Sequence, residues 1–223
     1  MEAYVIYIQG HEDSEKFSDR CVQSIIDTES DLTVEKFPAI TPSNMWKIKY
    51  TWPLRKKSTC PKTGLILSAY KTYDNNKRIA AAQSHYMLWR KCATLNRPIL
   101  ILEHDAIFIK KFDSKILEWW PGKGAVSINN PIGATFSAKE YDAKLTNGIN
   151  EVPWLTGNDV PQGLPGHSAY VIYPEAAKQV MKLQDEIGWW PNDAIMCKQL
   201  CPWIRCYKPY LTECQGIKST TSK

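Results

Sequence analysis

The sequence lacks the run of roughly 20 predominantly apolar residues that a bilayer-spanning helix needs. Its longest nearly apolar stretch, Pro98 to Ile109, is broken by Glu103, His104 and Asp105. The opening residues, Met-Glu-Ala-Tyr-Val-Ile-Tyr-Ile, lack the basic segment of a secretory signal and read as a buried strand. A soluble, cytoplasmic protein without membrane insertion is expected. Paired cysteine spacing is lacking as well. The seven cysteines, at 21, 60, 92, 197, 201, 206 and 214, are odd in number. The late four have irregular gaps and no histidine beside them, so scattered reduced thiols fit better than a zinc site. Internal repeats are missing too. At 223 residues, 43% hydrophobic and 23% charged, the composition excludes disorder and fibrous architectures and predicts a single domain over 1–223.

Acids are scarce in one region. Between Trp46 and Arg78 nine basic residues face a single acid, Asp74, although the whole chain carries a net charge of only +5. The same stretch holds Trp46, Tyr50, Trp52, Tyr70 and Tyr73. Cations interleaved with flat rings suit a polyanion with stackable faces, such as single-stranded or flipped-out nucleic acid. The alternative is a solvated loop whose rings pack on the domain body.

The hydrophobic pattern alternates between strand and helix. Ala3 to Gln9 predicts a strand, and Ser14 to about Thr28 a helix capped by Ser14. Leu32 to Phe37 predicts a second strand, giving a β-α-β start that favours parallel pairing. A basic aromatic insertion at about 41–77 carries three prolines and no sustained period, and reads as mostly irregular. Lys77 to Leu95 predicts a helix. The following Ile99-Leu100-Ile101-Leu102, aliphatic without alternation, predicts a central parallel strand. Ala125–Ile128 and His167–Tyr173 predict further strands, with a loop region rich in Gly, Pro and Asn at 131–166 between them. A helix from Pro174 to Ile187, a short one at Asn192–Leu200 and a strand near Ile204–Tyr207 complete an α/β domain.

Chemistry-bearing residues gather where ligands of open α/β sheets bind, beyond the carboxyl ends of strands. Glu103 and Asp105 follow the central strand, and two carboxylates one residue apart can share Mg2+ or Mn2+ if the backbone bends. Acids in such a place also cap helices or face water. Ser84 and His85 lie in the preceding helix, whose N-terminal half, with Arg78, can meet phosphate at the same edge. Gly163 to His167 precedes a strand, where glycine serves either a ligand approach or a tight turn. Asp193 suits a helix-capping acid or a general base, and capping is the better reading for an isolated acid.

Several stretches in their order along the chain resemble glycosyltransferase family 25, the lipooligosaccharide and procollagen galactosyltransferase-like group. They are Tyr4 to Gln9 followed by Arg20, Phe37 to Thr41, Arg78 to Trp89, Pro98 to Ala106, Gly163 to Tyr173, and Pro191-Asn192-Asp193. The chain looks most like short, bacteriophage-encoded members. The resemblance implies a GT-A-type single nucleotide-sugar-binding domain with a mostly parallel central sheet. It also implies metal-dependent, inverting transfer of a sugar to an acceptor hydroxyl, with a UDP-linked donor as the family expectation. It places Glu103 and Asp105 at a Mn2+ or Mg2+ ion, and Gln9, Arg20, Arg78, Ser84 and His85 on the nucleotide-sugar donor. Asp193 is placed as the base, with His167 as the alternative, and 131–166 as a lid. His104 stands where the family commonly has an acid, and Arg78 also departs from an acid. The basic insertion favours DNA bearing hydroxymethylated pyrimidines as acceptor, with a lipopolysaccharide-type glycan as the alternative and an inactive nucleic-acid-binding module as the second.

Overall fold

The computed structural model describes residues 1–117, 123–132, 137–155, 157–164 and 167–216. The chain runs β1 (Glu2–Tyr7), α1 (Glu12–Asp27), β2 (Thr33–Pro38), β3 (Ser58–Thr59), β4 (Ile66–Leu67), α2 (Asn75–Leu95), β5 (Ile99–Glu103) and β6 (Ala106–Phe108). It continues through β7 (Ala125–Ser127), α3 (Ala138–Ala143), β8 (Gly148–Glu151), β9 (Ala169–Ile172), α4 (Pro174–Ile187), α5 (Asn192–Ile195), β10 (Ile204–Lys208) and β11 (Thr212–Cys214). A seven-stranded sheet is ordered β2-β1-β5-β9-β7-β10-β8. Five of its strands point one way, and β9 and β8 oppose them, so the α/β expectation with a mostly parallel sheet holds.

The aliphatic run of β5 divides its side chains between two cores. Ile99 and Ile101 pack with Leu88, Trp89 and Cys92 of α2 and Ala176, Ala177 and Val180 of α4. Leu100 and Leu102 pack on the other face with Cys21 and Ile25 of α1 and with Phe108 and Phe112. All four are fully buried, each worth about 1.5–3 kcal/mol. This double burial predicts parallel neighbours, and only one is parallel. β5 pairs parallel with β1 but antiparallel with β9. Burial on both faces reports the covering layers and leaves strand direction open.

α1 links β1 to β2 on one face, and α2 leads from the insertion into β5 on the other. β1 thus has its parallel neighbours β2 and β5 reached by helices on opposite faces. This is the kind of switch point where open α/β sheets form a ligand crevice at the strands' carboxyl ends. Ile6 pairs with Glu103 at that point.

Other expectations need correction. His11, not Ser14, caps α1, its ring accepting from the Ser14 amide, while the Ser14 hydroxyl accepts from Ile8 N. The short helix ends at Ile195, where Met196 takes a non-helical ψ of 61°. The 131–166 stretch contains α3 and β8, which completes the sheet edge on β10. Residues 133–136, 156 and 165–166 of that expected lid, and the 217–223 tail, lie outside the described residues.

The insertion's cations are exposed, Arg78 apart, but most of its rings pack on the domain body. Trp52 is 6% exposed, stacks on Tyr70 at 5.5 Å and meets Trp190 edge-on at 5.3 Å. Tyr50 bridges to Trp189. Tyr73, 83% exposed, and Trp46, 36% exposed, are the insertion aromatics that reach solvent most. Apolar area supplied by 41–77 thus covers α2, α4 and α5, and most of its rings are used inside.

Candidate active site at the end of β5

The alternation that sends Ile99 and Ile101 toward α2 sends Glu103 the same way. There the His85 Nε2 lies 3.1 Å from Glu103 Oε1, and His85 Nδ1 lies 2.8 Å from the Tyr170 hydroxyl. Trp89 Nε1 donates to that hydroxyl at 2.8 Å. An indole N–H can only donate, so the Tyr170 proton is free for Nδ1; the imidazole N–H then sits on Nε2 and is donated to Glu103. His85 is 2% exposed, whereas the Glu103 side chain is 36% exposed. A buried chain of rings thus holds one carboxylate oxygen while the rest of the group faces the crevice.

Asp105 is the second residue of the turn at 104–105, just before β6. Gln215 latches this turn: its amide N donates to Asp105 O at 2.8 Å, and its side chain donates to His104 O, Ala106 O and Phe17 O. Burial first, and the Glu103 charge second, push the Asp105 carboxyl up to about 7, opposed by a hydrogen bond from Ser168. Its Oδ1 is buried and has no hydrogen-bond partner. The two acids are therefore close enough to repel, and one oxygen lacks a donor.

Asp193 belongs to the same neighbourhood. Its side chain does not cap α5; it accepts from the Tyr70 hydroxyl at 3.1 Å. Burial raises its carboxyl, Arg78 opposes that, and Glu103 adds to it. The Arg78 guanidinium lies 4.2 Å from the Tyr70 ring centroid. Gly163 makes the close approach here: a Cβ would fall 2.2 Å from Asp193 O. The glycine admits α5 rather than a ligand.

His167 enters because β9 is antiparallel and begins where β5 ends, with Glu103 N donating to Ser168 O at 2.8 Å. Its ring stacks on Tyr170 at 4.0 Å and near His85 at 6.0 Å. Both ring nitrogens are buried without partners, and burial holds its pKa well below the ordinary value. Ser84 is committed to backbone, donating to Ala80 O and accepting from Ile40 N. Gln9 is exposed just past β1, and Arg20 is exposed on α1 over its own helix's Phe17. Glu103, Asp105, Asp193, Arg78, His85 and His167 are thus brought together, while Ser84 is a brace and Arg20 lies outside the group. Tyr70, Trp89, Ser168, Tyr170 and Gln215 complete the site; all but Gln215 lie in stretches the sequence singles out, yet none is marked there as a site residue. Each is an ordinary core or turn residue until its distant partner is known.

Residues 26–122 match glycosyltransferase family 25, described as an LPS biosynthesis protein. The chain is similar to that family over the stretch carrying α2, β5 and both acids. No curated protein matches it. Among solved structures, the galactosyltransferase LgtC in complex with donor and acceptor sugar analogs shares 10% identity at a TM-score of 0.44, covering 93% of this chain and 73% of that one. An active-site mutant of LgtC gives 9% identity, a TM-score of 0.44 and coverage of 93% and 72%. No described helix is long and apolar enough to cross a membrane.

Proposed function

We propose that the protein is a glycosyltransferase that moves a sugar from a nucleotide-diphosphate donor to a hydroxyl of a lipopolysaccharide-type glycan. The observation that carries the reading is the acid pair at the β1/β5 crevice, where Asp105 keeps a buried, unpartnered oxygen beside the Glu103 charge. Two mutually repelling carboxylates with a spare oxygen fit a divalent cation such as Mn2+ or Mg2+. No group of three or more candidate ligands exists among the described residues, so diphosphate and water would supply the remaining positions. When bound, such a cation neutralises charge on a leaving nucleoside diphosphate.

The chain's own residues supply the rest. His85 fixes the Glu103 carboxylate, and Arg78, in the first turn of α2, adds positive charge where diphosphate would lie. Asp193 is the proposed acceptor of the hydroxyl proton, since burial raises its basicity and Tyr70 orients it. His167, with its depressed basicity, is the weaker base. The family's description as LPS biosynthesis favours a glycan acceptor. The case for DNA weakens because Trp52 and Tyr70 are used in the core. Nucleoside diphosphate release from UDP-sugars with Mn2+, measured with glycan and with hydroxymethylated DNA acceptors, tests the reading. Glycan-stimulated release is expected; DNA-stimulated release would return the choice to DNA, and no turnover with either would refute the transferase.

A further inference from the structure

On the outer flank of α2, Trp46, Lys47, Tyr86, Arg90, Asp185 and Trp189 line a cleft of about 510 Å³. This lies within the roughly 300–1,000 Å³ typical of small-molecule sites. Its walls are fixed in advance. The buried Gln83 amide clamps the Trp46 backbone from both sides, accepting from its N at 3.1 Å and donating to its O at 2.7 Å. Trp189 is held by its amide donating to Lys49 O and its carbonyl accepting from Thr51 N. Tyr86 and Trp189 rings lie 4.7 Å apart, with Trp46 edge-on to Trp189 at 5.8 Å. Lys47, Arg90 and Asp185 are exposed and make no ion pair among the described residues. The Asp185 and Arg90 charges both reach the Tyr86 hydroxyl. Two of its walls lie close in sequence to site residues: Tyr86 follows His85 in α2, and Trp189 is four residues before Asp193.

We infer that this cleft is an acceptor subsite for an anionic sugar unit, one bearing a phosphate or carboxylate. Rigid aromatic walls suit the apolar faces of a pyranose, while Arg90 and Lys47 outnumber Asp185 and suit an anion. The inference rests on the glycosyltransferase reading for its role but not for its binding. Isothermal titration of the whole protein with hexose 6-phosphate, hexuronate and neutral hexose, without any nucleotide sugar, tests it. Either anionic sugar is expected to bind at least about tenfold more tightly than the hexose, and Arg90→Glu to remove that preference; the phosphate and carboxylate arms identify the substituent. Equal affinities for all three, or an undiminished preference in Arg90→Glu and Lys47→Glu, would overturn it. Anionic-sugar binding in a protein that turns over no nucleotide sugar would leave the subsite standing and remove the transferase reading.

Discussion

Glu103 and Asp105 are two residues apart and treated in opposite ways. Glu103 is tied to His85, which is tied to Tyr170, which receives Trp89: protein groups fix its direction. Asp105 is latched through its backbone and takes a hydrogen bond from Ser168, yet its Oδ1 keeps no donor. A protein that stabilised both acids for folding alone would satisfy both. The contrast sets one carboxylate oriented by the fold against one with an unsatisfied oxygen, a cost in stability that the proposed cation would offset.

The sharpest way to break the contrast is to neutralise the available acid. Asp105→Asn is expected to lower transfer by about a thousandfold, as loss of several kcal/mol of charge stabilisation implies, with far-ultraviolet circular dichroism unchanged. Retained activity would remove Asp105 from the chemistry. Loosening the oriented acid is milder. His85→Phe leaves Glu103 without its donor and should cost about 10–100-fold in kcat, the usual effect of a partner that orients a ligand. His85→Gln, which can still donate, should recover part of it.

Stability separates the two acids next. The Asp105 carboxyl is raised to about 7, so the folded state holds this proton more tightly than the unfolded chain. Its contribution is fully present below the unfolded carboxylate range and is lost as pH rises through 7. Without cation, Asp105→Asn is therefore expected to melt several degrees above the native protein at pH 8 and to match it more closely at pH 5, by calorimetry. The smallest effect concerns thiols on the two faces. Burial pushes Cys21 and Cys92 up to about 12, and the Asp105 charge adds to the shift of Cys21. Raised thiols stabilise fully below about 9 and lose that contribution toward 12, so the urea midpoint should fall over that interval. It should fall slightly less steeply in Asp105→Asn.

What the sequence displays of this molecule follows range. α4 is found as predicted from Pro174 to Ile187, because its proline start and apolar stripe are local. β5 and the acids behind it are equally local. The direction of β9 is not, since it depends on a partner about 70 residues away, yet it alone carries His167 and Tyr170 to the site. Asp193 is readable as an acid but not as a partner of Tyr70, 123 positions away. The Gln215 latch spans more than 100 residues to the turn it holds. Aromatic content in 41–77 looks like a binding surface in one dimension, and three-dimensional packing spends most of it on the core.

The central claim is that the β5 acid pair, with Asp105 as its open member, holds a cation with a nucleoside diphosphate. Electron paramagnetic resonance of Mn2+ titrated into the protein with UDP tests this most directly. The account predicts stoichiometric bound Mn2+ that strengthens with UDP and disappears in Asp105→Asn; Mn2+ bound equally by that variant, or not bound at all by the native protein, would contradict it.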